Sequence, residues 1–230
     1  MKIITIHQPQ YIPWLAYFDK ILRSDEMILL DDVAFQKNGV QNRNQIKTAG
    51  GALWLTVPVS QHLGQLINQV EVSDTQVFGK HLKTLSQNYS KAPFYGEVMD
   101  FVGPILEKSL KNLSQLNNEL MSRILYYLDY KGSVLQSSEM KVEGSGSELI
   151  LNLCKNRCAN IYISGSGGKN YMNLDDFKEA QVQVVFQKYQ SPSYNQLHPK
   201  VGFIPDLSIL DLLFNEGQKS KSIIESGRIH

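Results

Sequence analysis

The first thirty-two residues, MKIITIHQPQYIPWLAYFDKILRSDEMILLDD, limit the fold more than any later stretch. Residues 2–6 form a short β-branched run, the composition of a buried strand. Trp14, Tyr17, Phe18, Ile21 and Leu22 then recur at i, i+3, i+4, i+7 and i+8, one apolar helix face with Pro13 at its first turn. EMILLDD (26–32) is a second apolar strand closing on paired aspartates. A helix between two adjacent strands is too long for a hairpin turn. The strands therefore run parallel, as a right-handed βαβ unit.

The pattern changes after this unit and then returns. QNRNQIKTAGGALWLTVPV (41–59) holds two β-like runs around AGG and predicts a hairpin; Leu66 to Val72 predicts a third strand beside it. Residues 76–129 are helical in pattern, with helices on Phe78–Tyr89, Val98–Leu110 and Leu113–Leu128. GSVLQSSE (132–139), NIYISGSGG (160–168) and VQVVFQKY (182–189) predict further strands, SELILNLCKNRC (147–158) a helix, and PDLSILDLLFNEG (205–217) a final helix stopped by Gly217. Strands alternating with helices at both ends predict an α/β fold. The expected architecture is a mainly parallel Rossmann-like sheet with a β-hairpin, one domain over 1–230 with 76–129 as a helical insertion or subdomain.

Composition removes several function classes. With 23 basic and 22 acidic side chains the chain is nearly neutral, without the footprint expected of a nucleic-acid binder. No apolar run is long enough to span a membrane, and the N-terminal run is too short for a signal peptide. Cys154 and Cys158, one helical turn apart, are expected to pack as small hydrophobes. The expected protein is reduced, soluble and cytoplasmic, with no dedicated metal site, since no His/Cys cluster has ligand spacing.

In open α/β sheets, ligands bind beyond the carboxyl ends of the strands. That rule selects the polar groups following each predicted strand. His7 is a candidate general acid or base, and Gln8 and Tyr11 are candidates to face a ligand. Pro9 and Pro13 stiffen their loop. Asp31 and Asp32 end the second strand, Asp32 being the alternative base. Ser137, Ser138 and Glu139 end another. Ser164, Gly165, Gly167 and Gly168 form a loop whose backbone can approach an anion, with Lys169 adding charge. It is not a Walker sequence and lacks the dinucleotide-binding glycine order. Arg43 and Asn44, with Lys37, Asn42 and Lys47, suit a sugar nucleotide or another anionic polar substrate. Tyr194 and Gln196 are candidates for a pocket wall. Each has a plainer role too: cap, turn, solvated hairpin or, for Trp14, first core residue of its helix.

HQPQYIPW, DKI, QNRNQIKT, WLTVPV, the YISG loop, YNQ and LSILDLLFNEG, in that order from residue 3 to about residue 217, resemble the WbqC-like family. Members of that family are found among bacterial polysaccharide and O-antigen biosynthesis proteins. The family's motif falls on His7, Gln8, Pro9, Tyr11, Pro13, Trp14, Arg43, Asn44, Gly165 and Asp211. The resemblance implies work on surface-sugar precursors. A second resemblance comes from spacing: Pro9, Tyr11, Pro13 and Trp14 stand at the intervals of the P-x-H-x-G-H motif in HIGH-type nucleotidylyltransferases and ligases, with both histidines replaced.

Three functions follow as expectations. The first is an acyl or aminoacyl transferase acting on a nucleotide-linked amino sugar, with an acyl donor as co-substrate. The second is an ATP-dependent ligase or nucleotidylyltransferase of degenerate HIGH type. The third is a non-catalytic carbohydrate-binding protein. All three take a small-molecule sugar.

Overall fold

The computed structural model describes residues 1–229. In chain order it begins with strand β1 (Ile3–His7), helix α1 (Leu15–Leu22) and β2 (Glu26–Leu29). The hairpin β3 (Arg43–Thr48) and β4 (Gly51–Thr56) follows, then the short pair β5 (Val59–Ser60) and β6 (Glu71–Val72). Helices α2 (Val77–Tyr89), α3 (Tyr95–Glu107) and α4 (Leu113–Tyr127) lead to β7 (Ser133–Gln136) and the one-turn α5 (Ser137–Met140). The chain continues through α6 (Gly146–Asn156), β8 (Ile161–Ser164), α7 (Leu174–Glu179), β9 (Gln183–Phe186), α8 (Ile209–Glu216) and α9 (Ser220–Ser226).

Five strands make one parallel sheet in the order β7-β2-β1-β8-β9. Counted along the chain, that is 3-2-1-4-5, the doubly wound arrangement. The strand order reverses between β1 and β8, so the loops leaving these two neighbours diverge and open a crevice at their carboxyl ends.

The sheet lies between two apolar layers, as strand alternation requires. Met27 and Leu29 face a core built with α1 to α4, α8 and Ile46, Leu55 and Val57 of the hairpin region. Ile4, Ile6 and Ile28 face the other way, onto Leu149, Ile150 and Leu153 of α6 and Phe177 of α7.

Several local expectations are corrected. Leu66–Val72 is mostly a 3₁₀ turn at Ile67–Gln69, leaving only Glu71 and Val72 in a strand. Ser137–Met140 turns into a helix because the Asp31 carboxylate accepts from the Ser138 amide (3.0 Å). α8 is not the last helix: Gly217 ends it in the left-handed region (φ 54°), and α9 follows. Cys154 is buried, but Cys158 is exposed, in the left-handed turn that ends α6.

Candidate functional site

The loop after β1 is held under strain. Ile12, β-branched and followed by proline, sits at φ 46°, a conformation costing on the order of 1–3 kcal/mol. The surroundings impose it. Asn44 Nδ2 donates to the Ile12 carbonyl (2.7 Å), the Tyr11 amide to the Val40 carbonyl (3.2 Å), and the Ile209 amide to the Pro13 carbonyl (2.8 Å). The hairpin and the start of α8 thus clamp the segment that aims α1. Trp14, N-cap of α1, stays 37% exposed rather than entering the core.

At the β1/β8 crevice lies a cavity of about 520 Å³ whose lining includes His7, Trp14, Tyr17, Lys20, Gly165 and Gly167. Lys20 is its main chemical feature. Only 3% exposed, its Nζ has no hydrogen-bond partner within the protein. It lies 5.9 Å from the Tyr17 ring centroid and so close to the glycine loop that a Cβ on Gly165 would stand 3.6 Å away. Desolvation pulls its pKa down to about 7, partly opposed by the neighbouring Asp19 carboxylate.

Asp19, equally buried, contrasts with it. Arg228 Nε donates to Asp19 (2.6 Å), Gln187 Nε2 donates to its other oxygen (2.7 Å), and Arg23 stands 3.8 Å off. Arg228 and Gln187 come from the C-terminal part of the chain; Gln187 lines the cavity, as do Tyr189 and Ile229.

His7 ends β1 edge-on to Tyr17, ring centroids 4.7 Å apart. Its Nδ1 is 3.1 Å from the Gln8 carbonyl, which can only accept, so Nδ1 carries the proton and Nε2 the lone pair. Burial, and then the Lys20 charge, lower the imidazole pKa to about 3. Near neutral pH His7 is therefore an uncharged proton acceptor.

Of the other sequence candidates, Gly165 and Gly167 join His7 on this cavity. Ser164 is buried, donating to the Gly165 carbonyl (3.1 Å), and Gly168 packs where a methyl would overlap the Ser164 hydroxyl. Gln8 turns its side chain to Gln41, whose Nε2 donates to it (2.8 Å). Tyr11 is fully buried with its hydroxyl 2.8 Å from His81 Nδ1, so it stiffens the loop from the core side. Asn44 acts on the loop backbone, and Arg43 lies over the exposed Trp54 ring (4.6 Å) on the hairpin. Both oxygens of Asp31 accept from Ser138, while Ser137 donates to Asp32, which places both aspartates at the β2/β7 side. Tyr194 and Gln196 belong to a buried network on Asp211: Tyr194 and Tyr89 hydroxyls donate to its two oxygens (2.8 and 2.6 Å), and Gln196 donates to Tyr194 (3.2 Å). Burial raises the Asp211 pKa.

Sequence reading passed over Lys20. The available signal was that α1, LAYFDKIL, is apolar on nearly every face, so its two charges had to be buried. Gln187, Tyr189 and Ile229 carried no comparable signal. Among the described residues no group of three or more His, Cys, Asp or Glu is placed to hold a metal ion, and no helix is long and apolar enough to cross a membrane.

The model of the WbqC-like protein family matches residues 8–223. An uncharacterized protein of Mycobacterium tuberculosis, Rv1507c, is 37% identical over 224 residues, covering 96% of each chain. No solved structure matches significantly. The chain belongs to the WbqC-like protein family.

Proposed function

From that membership and the switch-point geometry we propose an enzyme that acylates the amine of an anionic, nucleotide-linked sugar used in surface-polysaccharide assembly. One observation carries the reading. A buried ammonium without a partner faces a glycine loop at the crevice where doubly wound sheets bind ligands. A phosphate there would gain a charge-assisted bond to Lys20 and close contact with the backbone of Gly165–Gly167.

Burial, the larger cause of the low His7 pKa, would remain, but the same anion would offset the smaller contribution of the Lys20 charge and make Nε2 a stronger base once substrate is bound. In the reaction the sugar nitrogen attacks the donor's acyl carbon and the new C–N bond replaces the bond to the donor's leaving group. The nitrogen's proton passes to His7 Nε2 and from there to the leaving group, so the imidazole ends neutral. His7 is favoured over Asp32 as base because it lines the cavity, whereas Asp32 is bonded to Ser137.

An ATP-dependent ligase of HIGH type is the second reading, favoured by Trp14 and the glycine loop sharing the cavity. Tyr11, at the motif's first histidine position, turns instead to His81.

Thermal-shift titrations with sugar nucleotides, ATP and acyl-CoA test both. A sugar nucleotide is expected to raise the melting temperature of the wild type and not of Lys20→Met. Mass spectrometry with an acyl donor should then find the amide. ATP stabilisation with pyrophosphate release selects the ligase. Shifts that survive Lys20→Met refute the site.

A further inference from the structure

A cavity of about 880 Å³ lies elsewhere on the same sheet edge, between the carboxyl ends of β2 and β7 and helices α3 and α4. Half of its lining residues carry amide or hydroxyl groups, Asn68, Ser114, Asn118, Ser122 and Gln136 among them, with Phe101 as an aromatic panel. Three buried oxygens on this wall, Asn68 Oδ1, Ser114 Oγ and Asn118 Oδ1, have no hydrogen-bond partner in the protein. Ser114 is only 3% exposed. Buried polar atoms are normally satisfied, and each orphan costs on the order of 1–3 kcal/mol. Three on one wall mark a surface shaped for something that donates to it.

The identity of the orphans sets the ligand class. Two are amide carbonyls that only accept, and the third is a hydroxyl that accepts or donates. They call for a ligand carrying several O–H donors. Charge disfavours an anion: the carboxylates of Asp31, Asp100 and Glu119 outnumber the cations Lys108 and Arg123 on the lining, and Lys108 is itself paired with Glu119 (2.6 Å). Asp31, also on the wall, has its carboxylate saturated by Ser137 and Ser138. Both lining cations, Lys108 and Arg123, are exposed to water, unlike the buried Lys20. Phe101, tilted 35° against Tyr127 with ring centroids 5.2 Å apart, offers an apolar face suited to the C–H side of a pyranose ring.

We infer that this cleft is a second binding site, separate from the switch-point cavity, for an uncharged polyhydroxylated ligand, a neutral sugar. The inference stands whether or not the transferase reading does, because it uses no residue of that cavity.

Saturation-transfer NMR on the full chain tests it, with glucose, N-acetylglucosamine, rhamnose and maltose as probes. At least one is expected to bind with a Kd on the order of 1 mM, the weak range of about −4 kcal/mol. Ser122→Trp, a substitution at an exposed helical position on the rim, should weaken binding at least tenfold. Ser114→Ala should weaken it about threefold to tenfold and serves as the test should the tryptophan variant misfold. Lys20→Met should leave it unchanged, which separates this site from the anion site. No binding by any probe at roughly twenty times that Kd, or binding that survives both cleft variants, overturns the inference. So does binding lost in Lys20→Met.

Discussion

Substituting methionine for Lys20 keeps an unbranched chain one atom shorter and removes the ammonium, so it reports the consequence of burying that charge. Burial moves the lysine from its ordinary 10.5 to about 7. At about 1.4 kcal/mol per pH unit, the ionisation penalty in the folded state has a ceiling of about 5 kcal/mol. Relaxation and water entry discount such figures, and about 2 kcal/mol is a reasonable working value. For a chain of this size it corresponds to a melting temperature about 4–8 °C higher in the variant than in the ligand-free wild type.

The sign follows from proton counting. Between about pH 7 and 10.5 the unfolded state holds the lysine proton more firmly than the folded state, so wild-type stability from this group rises with pH across that window. The gap between variant and wild type is therefore largest below about pH 7 and narrows as pH rises toward 10.5. Scanning calorimetry or fluorescence melts at three pH values read it directly. A Lys20→Met protein less stable than wild type at about pH 6.5, or a gap that ignores pH, would refute the claim that this ammonium is buried and unpartnered. A charge kept in the folded state at this disadvantage is expected to recover it on anion binding. Calorimetric titration of a binding anion at about pH 8 in buffers of different ionisation heat should accordingly show uptake of about one proton or less.

The glycine loop offers a paired test: Gly168→Ala pushes a methyl into Ser164 and Met172 and should cost about 1–3 kcal/mol, whereas Gly167→Ala meets open space and should melt like wild type while weakening anion binding. Asp211→Ala leaves the Tyr89 and Tyr194 hydroxyls without their acceptor and should lower stability by about 2–4 kcal/mol in urea unfolding, with Tyr194→Phe costing only about 1 kcal/mol. Glu26, gripped by Arg157 (2.9 Å) and Lys2 (2.8 Å), has its pKa lowered to about 2, led by the Arg157 bond. That stability is present above about pH 4.5 and lost as pH falls toward 2; Glu26→Gln should cost about 1–2 kcal/mol at neutral pH, after discounting the part-exposed partners, and flatten the acid limb of the stability profile.

The elements readable from sequence were those whose signal is local. β1, α1 and β2 announce themselves by period, and the AGG hairpin by its glycines; Gly51 does take φ 109°. Helices α7 and α9 are six and seven residues long, too short for two turns of periodicity to show. The strand-end rule selected a sheet edge along which His7, Gly165 and Gly167 share one cavity. It could not sort the remaining polar groups, because their destinations depend on partners far along the chain. Tyr11 reaches His81, seventy residues on, and Tyr194 reaches Asp211, itself held by Tyr89. Asn44, which looked like a substrate ligand, instead holds the strained backbone of Ile12, a role visible only once the hairpin is folded against the loop.

Asp19 and Lys20 show how the site differs from a buried structural pair. Neighbours on one helix, both buried, they are of opposite charge, and two such groups could satisfy each other's field. The fold does not use them so. Asp19 accepts from Arg228 and Gln187, which reach α1 from the far end of the chain, and Arg23 adds a third positive neighbour. With its acceptor capacity taken, Asp19 offers Lys20 only a distant coulombic influence, too small to offset desolvation. The same contacts bring Gln187 to the cavity wall and anchor the segment that carries Ile229. One set of interactions thus builds the wall and keeps the carboxylate away from the ammonium. Leaving Lys20 unpartnered costs the ligand-free protein stability; under the proposed function an anion would fill the place that Asp19 does not take.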